Sequence, residues 1–245
     1  MIIKQTENIY YLPCDEETDR PVLGYISGKN RSLMIDAGSS KRHCELFFKL
    51  LKELNLKYPD YVVLTHYDWD HSYGLHSIDS ISFACTDTNN QLKKMMSWKW
   101  TDQDMKNREI NGDESPFCNK MIKKEYPNRD IIIKMADIEF EKHLKIDLGG
   151  ISCELFKVNE YHTKDSVVIY IPEEKYLFLG DCIYASSRHN DETKQKLLKD
   201  LIYTIEKIDF NFCIIGHEKK PITKEILMVS LKKKLSGYNI KPSLI

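Results

Sequence analysis

Short runs of apolar residues alternate with amphipathic stretches along most of this chain. The runs at 8–12, 22–27 and 32–35 have the length and the β-branched or aromatic content of strands. Apolar positions within 41–54 recur at three- and four-residue spacing, which predicts a helix. A further strand is expected at 61–64. This strand–helix–strand order predicts an α/β layered arrangement.

The second half of the chain repeats the pattern. Apolar runs predict strands at 81–85, 131–134, 138–141, 144–148, 151–158, 167–171, 176–179 and 212–215. Helical spacing of apolar residues follows at 191–208 and 223–235. Two sheet-rich halves, each finished by helices, predict an α/β (α+β) fold in which residues 1–245 form a single domain of two sheets packed face to face.

The segment 88–130 differs in character from its surroundings. It is rich in Lys, Asp, Asn and Met, and it contains Trp98 and Trp100. We interpret it as two helices or loops inserted between sheet strands. Two roles stay open for it: a wall of a pocket, or a surface elaboration with two half-buried tryptophans.

Composition and charge restrict the classes of partner. Of the 245 residues 42% are apolar and 30% are charged, as in ordinary globular proteins. The net charge of −1 gives no overall field that attracts nucleic acid or an anionic membrane, so we expect a small-molecule substrate and neither of those partners. The N-terminus lacks the pattern of a signal peptide, and the seven cysteines are widely spaced without a C-x-x-C pair. We therefore expect a cytoplasmic protein; the oligomeric state is not indicated.

A cluster of polar residues follows the strand predicted at 61–64. His66, Asp68, Asp70 and His71 lie within six residues of one another. Neutral imidazole and carboxylate are ligands that suit zinc and related divalent metals. A solvated polar loop is the plain alternative, but the position directly after a buried strand favours a metal site.

Three more potential ligands, His162, Asp181 and His217, each follow an apolar segment. A single histidine in such a place is more often a structural hydrogen bonder. The same placement repeated along the chain predicts one shared site at the edge of the sheets. Cys182 is expected in the core, because adjacent strand residues point to opposite faces. The remaining histidines lack such partners and are given no role in the site: His43, His76, His143 and His189.

The order of these residues resembles the signature of the metallo-β-lactamase superfamily. The motifs that carry the resemblance are His66-x-Asp68-x-Asp70-His71, the lone His162, Gly180-Asp181 and Gly216-His217. The likeness runs from residue 8 to the last helix and implies a four-layer αββα sandwich. Asp36-Ala-Gly38 is similar to the family element whose aspartate supports the metal loop.

The resemblance implies two divalent metal ions, zinc in the first place, with manganese or iron as alternatives. It assigns to the first ion His66, Asp68 and His162, and to the second ion Asp70, His71 and His217, with Asp181 bridging both. Asp68 stands where the family usually has a histidine. This third carboxylate predicts a weaker Lewis acid and a better fit to harder ions such as Mn²⁺ or Fe²⁺.

The activity implied is hydrolysis of a small-molecule ester, thioester, lactone or phosphodiester by a hydroxide that bridges the ions. Asp70 would be catalytic by orienting that hydroxide, and Tyr161, Thr163 or Tyr184 would help to protonate the leaving group. Two alternatives stay open: an iron-dependent redox enzyme of the same fold, and a non-catalytic metal-stabilised binding or sensor domain. The resemblance does not identify the substrate.

Overall fold

Two β-sheets form the centre of the structure, a computed structural model that describes residues 1–238. The first sheet contains, in spatial order, β1 (Ile3–Lys4), β2 (Ile9–Leu12), β3 (Leu23–Ser27), β4 (Ser32–Ile35), β5 (Tyr61–Val63), β6 (Ile81–Cys85) and β7 (Ile138–Phe140). The second contains β8 (His143–Asp147), β9 (Ser152–Lys157), β10 (Val167–Ile171), β11 (Tyr176–Phe178), β12 (Phe212–Ile214) and β13 (Ile222–Thr223), also as neighbours in that order.

The direction of the strands determines where the loops gather. Strands β1 to β4 are antiparallel, whereas β4 to β7 run parallel to one another. In the second sheet β11 and β12 are the parallel pair. The carboxyl ends of β4, β5, β11 and β12 therefore deliver the residues that follow them to shared edges of the sandwich, where ligand sites of such sheets are usually found.

Helices cover the outer face of each sheet. The helices on the first sheet are α1 (Lys41–Glu53), α2 (Trp69–Ser72), α3 (Thr86–Met95), α4 (Asp102–Asn111) and α5 (Pro116–Glu125), and those on the second are α6 (Asp191–Glu206) and α7 (Lys224–Tyr238). Single 3₁₀ turns lie at 73–77 and 172–174. Within residues 1–238 no helix has both the length and the apolar content that a membrane crossing requires.

Three apolar cores separate these layers. The middle core packs the inner faces of the two sheets together, with Ile35 and Val63 from one and Ile169 and Phe178 from the other. The two outer cores lie between each sheet and its helices. Burial of apolar side chains on both faces of both sheets explains the near-continuous apolar strands in the sequence. The four-layer αββα arrangement is thus confirmed.

The structure also corrects parts of the predicted element list. The strand predicted at 131–134 is absent; the segment runs without ladder bonds, and Ile133 packs into the outer core of the first sheet instead. The segment 88–130 contains most of α3 and all of α4 and α5, so it has three helices where we predicted two helices or loops. The two-residue strands β1 and β13 were not predicted.

Candidate metal centre

Polar side chains gather where strands from both sheets end. Asp36 follows β4, His66 follows β5, Asp181 follows β11 and His217 follows β12. Backbone hydrogen bonds hold the loops together: the Asp36 N–H donates to the carbonyl of Val63 at 2.8 Å, and that of Gly216 donates to the carbonyl of Gly180 at 2.9 Å. The loop between β9 and β10 adds His162.

The glycines before Asp181 and His217 allow the close approach of these loops. Gly180 has a φ of +49°, in the left-handed region, and a Cβ there would lie 2.8 Å from Cβ of Thr65. A Cβ on Gly216 would lie 2.1 Å from a carboxylate oxygen of Asp181. Only glycine fits at either position, which explains the Gly-Asp and Gly-His pairs.

The first group of ligand-capable atoms consists of His66, Asp68 and His162. The Asp68 Oδ2 atom lies 3.4 Å from Nε2 of His66 and 3.3 Å from Nε2 of His162. The three atoms lie within 4.8 Å of one another, which suits a single ion. His66 is buried, whereas Asp68 and His162 reach the surface of a pocket.

The second group consists of Asp70, His71 and His217. The Asp70 Oδ2 atom lies 3.3 Å from Nε2 of His71 and 3.1 Å from Nε2 of His217. Asp181 places Oδ1 at 3.5 Å from His71 and Oδ2 at 3.3 Å from His217, and it also forms a group with His66 and His71. The structure thus brings all seven predicted ligand residues together, with Asp181 between the two groups.

The other ring nitrogens are occupied by neighbouring groups. Nδ1 of His71 lies 2.8 Å from Oδ2 of Asp36, whose carboxylate also accepts from the backbone and hydroxyl of Thr65 at 2.7 and 2.9 Å. Nδ1 of His66 lies 3.0 Å from the same hydroxyl, and Nδ1 of His162 lies 3.2 Å from the carbonyl oxygen of Tyr184. Such contacts fix the orientation of an imidazole so that Nε2 is the nitrogen presented to a ligand.

The remaining polar atoms have no partner in the protein. Within residues 1–238 the Nε2 atoms of His66, His71 and His162 and the Oδ1 atom of Asp181 are buried without a hydrogen bond. Buried polar groups are nearly always satisfied, so four such atoms within these adjoining groups indicate a missing binding partner. Imidazole nitrogen and carboxylate oxygen are donors that fit a divalent cation, so these residues could hold one or two ions.

The electrostatics of the centre favour bound positive charge. Burial lowers the pKa of His217, but the carboxylates of Asp181 and Asp70 outweigh it and raise that pKa to about 11. The pKa of His71 is raised in the same way by Asp70 and Asp36. Burial opposes ionisation of Asp68, but His162 and His66 hold its pKa far below the usual range. In the metal-free protein, protons on the imidazoles therefore balance the negative charge of the carboxylates, a role that metal ions can take over.

Asp19 is a residue at the centre that the sequence did not indicate. Its Oδ1 atom lies 3.7 Å from Nδ1 of His217, and it has a φ of 56° in a turn closed by the backbones of Asp15 and Arg20. Burial, followed by the charge of Asp70, raises the pKa of Asp19 to about 7. The turn reaches the centre because the N–H of Val22 donates to the carbonyl of Gly216, a contact between distant parts of the chain.

The three residues proposed as aids to protonation differ in position. Tyr184 and Thr163 line the pocket beside the first group. Tyr161 does not: it is buried in the outer core of the second sheet, and its hydroxyl lies 3.2 Å from that of Tyr238. The two neighbours lie in the turn between β9 and β10, where His162 faces the centre and Tyr161 faces the outer core. Cys182 is buried in the same outer core, as predicted.

The other histidines do have partners, contrary to expectation, although none belongs to the ligand-capable groups. His43 is buried, and its Nδ1 accepts from the backbone N–H of Ser39; burial, helped by the charge of Arg20, lowers its pKa to about 3. The rest contact backbone carbonyls or an aromatic ring: His76 with Tyr73, His189 with Glu160, and His143 with Phe156.

A cavity of about 550 Å³ opens beside the first group. One side is formed by the loops that carry Tyr67, Asp68 and His162. The other is formed by residues of the inserted segment, such as Met95, Trp98, Glu114 and Pro116. We call residues 95–118 the pocket wall. Two roles were left open for the insertion, a wall of a pocket or a surface elaboration, and the structure supports the first.

A buried ion pair stiffens the pocket wall. Nε of Arg108 lies 2.7 Å from a carboxylate oxygen of Glu114, and both side chains are only 8% exposed. The guanidinium also lies 4.5 Å from the ring centroid of Trp98 and 4.6 Å from that of Trp100, distances at which cation–π attraction operates. Trp100 packs edge-on against Tyr73, which joins the wall to the loop of the metal centre.

The fold and the site together define a class: an αββα sandwich with two linked groups of metal-ligand residues at the strand ends. The chain belongs to the metallo-β-lactamase superfamily, whose family model matches residues 22–228. The comparison with curated proteins gave no match.

Solved structures from several bacteria share the fold at low sequence identity. The metallo-β-lactamase from Pontibacter korlensis is 15% identical, with a TM-score of 0.64 over 98% of this chain and 99% of that one. A metallo-β-lactamase family protein from Thermus thermophilus is 14% identical, with a TM-score of 0.69 over 96% and 81%. The inverting sec-alkylsulfatase Pisa1 from Pseudomonas sp. is 13% identical, with a TM-score of 0.69 over 97% of this chain and 41% of that one. At these identities the likeness establishes the fold alone.

Proposed function

We propose that this protein is a metal-dependent hydrolase of a small-molecule ester, thioester, lactone or phosphodiester, with two divalent ions in its centre. The observation that carries the proposal is the set of buried, unpartnered atoms, three imidazole nitrogens and one carboxylate oxygen, that lie beside a pocket of substrate size. His66, Asp68 and His162 would hold one ion, Asp70, His71 and His217 the other, and Asp181 both.

The ions would supply a Lewis acid and a water molecule of lowered pKa next to the pocket. The residues of the chain do the rest. Asp36 and Thr65 hold the imidazoles of His71 and His66 in place, as described above. Asp70 lies between His71 and His217, where its carboxylate can orient the attacking water. Tyr184 lines the pocket and is the better placed of the two tyrosines to donate a proton to the leaving group.

The donor set bears on the identity of the ions. Three carboxylates, those of Asp68, Asp70 and Asp181, offset most of the charge of two divalent ions. We propose zinc as the resident metal, with manganese or iron favoured more than they would be by a histidine at position 68, because carboxylate oxygen suits harder ions.

An iron-dependent redox enzyme of the same fold is the second candidate, and Asp68 is the observation that favours it. A non-catalytic sensor is the third, but a formed pocket next to the ligand groups favours catalysis over it. The compartment is proposed to be the cytoplasm, and the partner a small molecule rather than nucleic acid or membrane.

Metal analysis joined to an activity screen tests the proposal. Protein purified without added metal should contain close to two ions per chain. It should hydrolyse members of a panel of esters, thioesters, lactones and phosphodiesters, and lose that activity when a chelator removes the ions. Bound iron together with oxygen consumption would favour the redox alternative. Metal-loaded protein that turns over no member of the panel would contradict the hydrolase proposal.

A further inference from the structure

Glu125, the last residue of α5, is a buried carboxylate outside the metal centre. Its side chain is only 3% exposed, and the hydroxyl of Ser40 and Nη2 of Arg20 donate to its Oε1 atom, the latter at 2.8 Å. Nη2 of Arg42 lies 3.6 Å from the same oxygen. Burying a carboxylate is unfavourable unless cations and donors surround it, and removing one partner of such a pair is strongly destabilising. Glu125 therefore ties α5 firmly to the segments that carry these partners.

The first partner, Arg20, lies next to a residue of the metal centre. Asp19 precedes it directly and places Oδ1 at 3.7 Å from Nδ1 of His217. Two backbone hydrogen bonds between Asp15 and Arg20, at 2.8 and 3.1 Å, close the turn. Asp19 has a φ of 56°, a left-handed conformation that costs free energy in residues other than glycine, so the surroundings must enforce it. The anchored guanidinium of Arg20 thus holds the backbone that directs the Asp19 carboxylate at His217.

The second partner, Ser40, belongs to another loop of the metal centre and caps α1. Four residues earlier in that loop is Asp36, whose Oδ2 lies 2.8 Å from Nδ1 of His71. The residue after the glutamate makes a second contact with the loop, because the hydroxyl of Tyr126 donates to the carbonyl of Ser39 at 2.9 Å. The end of α5 is therefore fixed to this loop at two points.

The two loops held by Glu125 carry the carboxylates that face Nδ1 of His71 and of His217. These histidines and Asp70 form the second ligand group, which would hold what we call the second ion. We propose that Glu125 is a positioning residue for the second ion: it fixes both loops, and through their carboxylates it orients both imidazoles so that Nε2 faces the ion. The inference rests on the metal-binding part of the proposed function and does not depend on turnover.

The first ligand group is held mainly from another side. The backbone N–H of Tyr67, which precedes Asp68, donates to Oδ2 of Asp165 at 2.8 Å. Asp165 belongs to the loop between β9 and β10 that also carries His162. Loss of the Glu125 carboxylate should therefore weaken the second ion more than the first.

Zinc titration in competition with a chromophoric chelator measures this selectivity. The titration gives an affinity for each ion, and His162→Gln, which removes a ligand of the first group, identifies the constant that belongs to the second ion. Glu125→Ala should lower the affinity for the second ion by about 10-fold, the lower end of the effect of losing an outer partner of a ligand histidine. Glu125→Gln keeps an acceptor oxygen for Ser40 and Arg20 and should lose less.

A double variant separates positioning from a general effect on packing. Arg20→Gln should weaken the second ion when Asp19 is present. It should have no further effect in the Asp19→Ala variant, because its influence passes through that carboxylate. Arg20→Lys keeps the cation and should retain most of the affinity. Losses that simply add in the double variant would overturn this route from Glu125 to His217. The Arg20 variants also keep the inference testable if Glu125→Ala does not fold.

Two control variants distinguish the proposed role from nearby contacts and from lost stability. Lys124→Gln removes an exposed contact between α5 and the carbonyl of Glu17 in the same turn, and should leave both affinities as in the wild type. Arg108→Met breaks a buried ion pair elsewhere in the inserted segment, so it should lower stability without changing either affinity. An equal loss at both ions in Glu125→Ala, or the same selective loss in Arg108→Met, would overturn the inference.

Failure of this inference can be told apart from failure of the proposed function, because zinc binding is measured without turnover. Wild-type protein that binds both ions but hydrolyses no substrate would contradict the hydrolase proposal, and the affinities of the variants would still decide the role of Glu125. An unchanged second ion in both Glu125→Ala and Arg20→Gln would overturn the positioning role even if hydrolysis is observed.

Discussion

The metal centre and the pocket wall face each other across one cavity but are built in opposite ways. The centre consists of loops at the ends of strands, joined by backbone hydrogen bonds to both sheets. The wall, residues 95–118, belongs to the helical segment inserted between β6 and β7, which packs on the outer core of the first sheet. In the centre, polar atoms are buried without partners, whereas the acidic side chains of the wall are paired.

This difference separates the chemistry from the choice of substrate. The unsatisfied atoms of the centre lower the free energy of unfolding unless an ion binds them, so the rest of the fold must stabilise their positions. The wall contributes the shape of the pocket, and its acidic side chains are already paired. Substitutions in the centre should therefore affect metal content and turnover together, whereas substitutions in the wall should affect substrate binding and leave the metal content unchanged.

Replacing Asp181 with Ala should have the largest effect. Asp181 contacts His71 and His217 and belongs to a group with His66, so its loss removes a ligand from both proposed ions. We expect loss of two-metal binding and of hydrolysis together, measured by metal analysis and by the activity screen. Asp200→Ala, an exposed position on α6, is the control. An Asp181 variant that still binds two ions and keeps full turnover would contradict the proposed role of the metal centre in hydrolysis.

Replacing Arg108 with Met should affect the wall without affecting the centre. The change leaves the carboxylate of Glu114 buried and unpaired, which typically costs about 3–5 kcal/mol when one partner of a buried pair is removed. We expect a lower free energy of unfolding in denaturant titration, a raised KM and an unchanged metal content. The double variant Arg108→Met, Glu114→Gln removes the unpaired charge and should recover part of the stability. Loss of metal in the single variant would mean that the two regions are not separable.

The same difference explains what the sequence could predict. The apolar runs that end at 35, 64, 179 and 215 give the strands, and the polar residues that follow them mark the centre, because both depend on local order along the chain. Asp19 depends on a contact between Val22 and Gly216, which no local pattern indicates. The helices of the inserted segment have few apolar residues, so their periodicity is weak. The run at 131–134 has the composition of a strand, but its Ile133 packs into the outer core of the first sheet and the run forms no ladder.

Replacing Asp19 with Ala should weaken one ion more than the other. Asp19 is the only carboxylate near Nδ1 of His217 in the described residues, and contacts of this kind to a ligand histidine are worth roughly 10- to 100-fold in metal affinity. We expect that loss at the ion held by Asp70, His71 and His217, measured by competition with a chromophoric chelator. Asp19→Asn keeps an acceptor oxygen and should lose less. Glu16→Gln, an exposed residue of the same turn paired with Lys219, should lose nothing. Equal weakening of both ions would assign Asp19 a general structural role.

The pH dependence of metal binding should also distinguish the two regions, and it is the smallest of the expected effects. With a pKa of about 11 in the metal-free protein, His217 is protonated at neutral pH, and an ion that takes its Nε2 must expel that proton. The carboxylates of Asp68 and Asp181 have lowered pKa values and are already ionised, so they release none. Apparent affinity for the metal should thus rise with pH from 6 to 9, by about tenfold per pH unit for each proton released.

Zinc titration in weakly buffered solution with a pH indicator counts the protons released on metal binding, and His217→Gln should release one fewer. Arg108→Met should release as many as the wild type, because the ion pair of the wall exchanges no proton when metal binds; a smaller number would show that the wall and the centre share a proton equilibrium.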